Sequence, residues 1–65
     1  MWPTAAIMEE VRWGVFVDGT STARHRLGRP VGMDCVVEAG GRRWQVIGVV
    51  RRNTEMHALC VPDRP

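Results

Sequence analysis

Apolar and polar residues alternate along two stretches of this chain, and turn-forming pairs punctuate the alternation. In residues 33–61, Gly40-Gly41 separates two runs rich in β-branched residues. Such a pair supplies the positive φ that a two-residue hairpin loop needs. It sets Ala39 opposite Arg42, Glu38 opposite Arg43, Val37 opposite Trp44, Val36 opposite Gln45 and Cys35 opposite Val46. Side chains of a strand alternate between faces. Glu38, Arg43 and Gln45 therefore share one face, and Cys35, Val37, Trp44 and Val46 the other. A second loop, Asn53-Thr54, sets Arg52 opposite Glu55, Val50 opposite His57, Val49 opposite Ala58, Gly48 opposite Leu59 and Ile47 opposite Cys60. The strand between the two loops carries Trp44, Val46 and Val50 on one face and Ile47 and Val49 on the other. A strand apolar on both faces is a central one, covered from both sides.

Residues 11–17, VRWGVFV, alternate with Val11, Trp13, Val15 and Val17 on one face and Arg12, Gly14 and Phe16 on the other. The Asp18-Gly19 pair predicts a type I′ turn, with Val17 facing Thr20, Trp13 facing Arg24 and a polar return strand suited to a sheet edge. Residues 28–32, GRPVG, read as a connection, because Pro30 cannot donate to a ladder. Residues 1–10 read as a leader or a short helical turn capped at Thr4, and residues 62–65 as a polar tail. The expectation is one all-β domain over residues 11–61, with strands near 11–17, 20–27, 33–39, 42–51 and 56–61 in sequential hairpins. Five short twisted strands close most economically into a small barrel of SH3-like or OB-like size. Its expected core holds Trp13, Val15, Val37, Trp44, Val46 and Leu59.

Length sharpens this picture. A chain of 65 residues buries only about 60% of its unfolded surface, so its core is marginal and homo-oligomerisation is expected. Cys35 and Cys60 fall on opposite faces in the registers above, which predicts two reduced thiols. No apolar run approaches the roughly 20 residues needed to cross a bilayer, and no signal segment opens the chain, so a cytoplasmic protein without a membrane partner is the default. All nine basic residues are arginine, and the formal net charge is +2. Arginine without lysine, alongside much Val, Ala and Gly, reads as the codon bias of a GC-rich bacterial or phage genome. A balance of +2 permits a nucleic-acid partner without demanding one.

Candidate chemistry is sparse. His25, Cys35, His57 and Cys60 lack the short paired spacings of a zinc site, and no metal or cofactor is expected. A thiol between valines has a raised pKa, the wrong direction for a nucleophile, and no lysine-bearing phosphate loop is present. A binding module is therefore expected over an enzyme. Arg24, His25, Arg26 and Arg29 lie in or beside the edge strand, while Arg42, Arg51 and Arg52 flank the two later turns. Brought together, they would contact the phosphates of a nucleic acid or an acidic protein surface. Arginines at turns are also ordinary solvated residues, and Glu38 and Glu55 are placed to neutralise Arg43 and Arg52. In the alternative reading, an apolar face with Ile47, Val49 and Ala58 packs against a second copy, leaving a structural or enzymatic role to an inter-subunit pore.

Residues 34–50, DCVVEAGGRRWQVIGVV, resemble the core of the small bacterial YodC-like proteins, in which an Asp-x-Val strand leads into a Gly-Gly turn and a strand with alternating valines. That resemblance implies a compact β-barrel without an assigned chemistry. Trp44-Gln45 followed by Ile47-Gly48 is similar to the central strand of the type II dihydrofolate reductases, short SH3-like chains that assemble as tetramers around a pore. Their Val-Gln-Ile-Tyr substrate segment has no counterpart here. His57-Ala58-Leu59 with Pro62 and Arg64-Pro65 is similar to the last strand of Sm-like RNA-binding proteins.

Overall fold

The computed structural model describes residues 8–63, and five strands run through them: β1 (Glu9–Asp18), β2 (Ser21–Val31), β3 (Val36–Ala39), β4 (Arg42–Arg52) and β5 (Glu55–Pro62). Each strand reverses the direction of the one before it, so the first and fifth run the same way. Parity therefore makes their contact parallel, with Trp13 beside His57, Gly14 beside Ala58, Val15 beside Leu59 and Phe16 beside Cys60. The remaining pairs are antiparallel, and the single mixed sheet has the order β2-β1-β5-β4-β3. It curls into a half-barrel, with no helix among the described residues. No described helix is long and apolar enough to cross a membrane.

The concave face holds the core of Val11, Phe16, Val31, Val37, Trp44, Val46, Ala58 and Cys60. Phe16 and Trp44 meet edge to face with ring centroids 5.0 Å apart, a favoured aromatic geometry. The Trp44 indole N–H donates to the Ala39 carbonyl at 3.0 Å, which ties the core to the β3–β4 turn. That turn is Gly40-Gly41 with φ of 61° and 75°, and the pairing of β3 with β4 matches the expected register from Val36–Gln45 to Ala39–Arg42.

Several expectations are corrected. The first turn is Gly19-Thr20, flanked by the pair Asp18–Ser21. Only Gly19 has positive φ, 63°, at the first central position that a type II′ turn reserves for glycine. The β1–β2 register is displaced by two residues, so the faces stay as read, and Trp13 faces Arg26 with Arg24 on its diagonal. The core face of β1 is the Gly14–Phe16 face. Trp13 and Val15, expected in the core, are half-buried on the opposite side, and Leu59, expected there too, is 38% exposed.

Residues 28–31 extend β2 instead of leaving the sheet. Leu27 and Gly28 together oppose Arg12, and Gly28 takes φ of 62°, the bulge position glycine suits. Pro30 sits on an edge strand, where no second neighbour needs its missing N–H. Val31 is thereby delivered to the core. Glu9 and Glu10, expected in the leader, belong to β1, and Pro62, expected in the tail, ends β5. The helical turn expected at Thr4 lies outside the described residues.

The β4–β5 register holds from Arg52–Glu55 to Gly48–Leu59, after which Ile47 bulges out and Val46, not Ile47, faces Cys60. The bulge turns Cys60, Ala58 and Val49 inward and leaves Ile47 and Val50 outside. Cys60 thus shares the core side with Cys35, contrary to the expected opposite faces. The two thiols remain free because β3 and β5 flank β4 on either side. Two interstrand spacings, about 9.5 Å, exceed the reach of a disulfide.

Candidate functional site

The outer face of β1, β5 and β4 carries what the core leaves over. Two rows cross it, one running Arg26, Trp13, His57, Val50 and the next Arg24, Val15, Leu59, Gly48. Val50 and Leu59 are 53% and 38% exposed, whereas His57, lodged between Trp13 and Val50, is only 9% exposed. Alternation makes this face apolar: each strand that turns one hydrophobic residue inward turns its neighbour outward.

Charged side chains are anchored around this apolar floor. The Arg24 guanidinium lies over the Trp13 ring, 4.6 Å from its centroid, a contact worth about 0.5–1 kcal/mol at an exposed site. The Trp13 indole N–H donates to Glu55 Oε1 at 3.1 Å, and Arg12 donates to Glu55 Oε2 at 2.6 Å. The Arg12 hydrogen bond, opposed by partial desolvation and aided by Trp13, holds the Glu55 carboxyl below its ordinary pKa. Glu55, expected to neutralise Arg52, binds Arg12 instead, leaving Arg52 without a carboxylate partner among the described residues.

Two shallow depressions share Glu55. One is lined by Val15, Gly48, Val50, His57 and Leu59 between Arg24 and Arg52. The other is lined by Arg12, Arg26 and Arg51 together with Glu9 and Glu10. Of the seven expected contact residues, Arg24, Arg26, Arg51 and Arg52 therefore come together. Arg42 lies elsewhere, paired with Asp18 at 2.7 Å and stacked 4.8 Å over Trp44. His25 sets its ring 5.4 Å from Phe16, and Arg29 lines a groove between β2 and β3. Arg12 is the member the sequence pattern misses. Strict alternation puts it opposite Trp13, yet both reach Glu55, because burial changes phase between Val11 and Gly14.

The arrangement suits recognition. Guanidinium forks pair with phosphate or carboxylate oxygens, and the apolar floor accepts an uncharged surface. Burial pushes the Cys60 thiol up to about 11, so it stays protonated at neutral pH. No three His, Cys, Asp or Glu side chains gather as metal ligands among the described residues. No protein-family model matches the chain, and neither curated proteins nor solved structures yield a significant match.

Proposed function

We propose that this chain is a non-enzymatic binding module that grips nucleic acid across the outer face of β1, β5 and β4. The observation that carries this reading is the gathering of five arginines, Arg12, Arg24, Arg26, Arg51 and Arg52, against three carboxylates, Glu9, Glu10 and Glu55, on one face. Five guanidiniums on one face can track successive phosphates, while Val15, Val50 and Leu59 lie where bases would rest. The up-and-down strand order supports an SH3-like kind of barrel over the Greek-key OB-like kind, in keeping with the YodC-like resemblance. The arginine-only basic set supports a bacterial or phage origin.

Fluorescence anisotropy with a labelled single-stranded DNA of about 20 nucleotides tests this. Binding should weaken roughly a hundredfold between about 50 and 200 mM salt. The double variant Arg24→Glu/Arg52→Glu should abolish it. Equal affinity for wild type and variant would refute the reading.

A second reading rests on the exposure of Val50 and Leu59. Here the same face packs against another copy of the chain, and the barrel works as a homo-oligomer. Light scattering separates the two, since an apolar subunit contact persists in high salt whereas phosphate contacts do not.

A further inference from the structure

The sheet ends in β2 on one side and β3 on the other, and the two strands do not pair with each other. Each has a neighbour along one edge only, so each presents unpaired N–H and C=O groups along the other. The two edges border a groove lined by Arg26, Leu27, Arg29, Val36, Glu38 and Arg43. Val36 is 40% exposed there, and Arg43 has only a 3.9 Å contact with Asp63. Three guanidiniums against one carboxylate leave the groove positive.

We infer that this open seam is a docking groove for an extended acidic segment of a partner protein, added as a strand along the free edge of β2. Strand addition takes its affinity from main-chain hydrogen bonds and its specificity from pockets for alternate side chains. In an incoming strand with alternating acidic and apolar residues, the acidic set meets Arg26 and Arg43 on the outer side and the apolar set meets Leu27 on the core side, where Arg29 flanks it. A second copy of the chain is the poorer occupant. Edge-to-edge pairing of two β2 strands would bring Arg24, Arg26 and Arg29 against their own kind, and like charges facing each other across a ladder are unfavourable. Pro30, which offers no N–H, marks where the added ladder stops.

The probe is a fluorescein-labelled peptide of about eight residues alternating Glu and Val, within the usual strand length. Three controls accompany it: a peptide with Lys for Glu, one with a central Pro, and unlabelled single-stranded DNA as competitor. The Glu-Val peptide should bind the whole chain and weaken with salt, and neither control peptide should bind. Arg29→Glu and Arg43→Glu should each lower its affinity roughly tenfold or more, as removal of a charge partner does. Hydrogen exchange on the wild-type chain should show β2 amides gaining protection when peptide is added, a readout independent of whether either variant folds well. Equal binding of the Pro peptide, or protection outside β2 and β3, would overturn the assignment. Arg26 borders both surfaces, so the competition is run on the Arg24→Glu/Arg52→Glu variant: displacement of the peptide by the DNA there would also overturn the assignment, since the seam itself would then bind the polyanion.

Discussion

A methyl group added at Gly14 would lie 2.7 Å from Cε2 and Cζ of Phe16 and 3.1 Å from Leu27 Cδ1. Gly14 is what lets the Phe16 ring lie flat against its own strand and reach Trp44. Gly14→Ala should therefore destabilise the fold by about 1–3 kcal/mol, as overpacking does, measured by urea unfolding. Trp44→Ala removes the edge-to-face partner and the bond to Ala39. Its loss of about 3–5 kcal/mol compares with a total stability of roughly 3–10 kcal/mol for 65 residues, so this variant should be largely unfolded by circular dichroism. The thiols differ in access: Cys60 is fully buried with its pKa near 11, and Cys35 is half-buried. Iodoacetamide at neutral pH should add one adduct by mass spectrometry, at Cys35, and a second only on unfolding. The placement of Val37, Trp44 and Val46 comes from the Gly-Gly register alone. That of Trp13 and Val15 was not legible, because Phe16 shares its parity with Arg12 and Gly14 and alternation cannot say which face wins, and that of Leu59 was not, because the Ile47 bulge reverses the face of β4 that its partner Gly48 occupies.

Hairpins were legible where loop chemistry is unambiguous. Gly40-Gly41 fixes its register to the residue, whereas Asp18-Gly19 admits two loops and the chain adopts the one needing a single positive φ. Bulges at Gly28 and Ile47 leave no mark on the apolar pattern, yet each re-aims the side chains beyond it, sending Val31 and Cys60 into the core. The same irregularity brings Arg12 and Trp13 to one carboxylate, where Glu55 clamps the β4–β5 turn to β1. Its folded pKa is lowered from 4.5, so the clamp's contribution is fully present above pH 4.5 and lost as pH falls through the lowered value. Melting temperatures of wild type and Glu55→Gln should differ near neutrality and converge under acid. A difference that persists at acid pH would mean the carboxylate charge is not what holds the turn.

At the scale of the molecule, a half-barrel of five strands has one face to spend on its core and another that must meet water or a partner. The arginines scattered through the sequence converge on that outer face because β5 lies between β1 and β4, a neighbourhood no local pattern announces. The most direct test is an amide NMR titration of the full chain with single-stranded DNA. The shifts should change at Val15, Arg24, Gly48, Val50, Arg52 and Leu59, and stay still at the Gly40-Gly41 end near Arg42. Changes confined to that end, or to Arg29 and Val36, would contradict the outer face as the nucleic-acid surface.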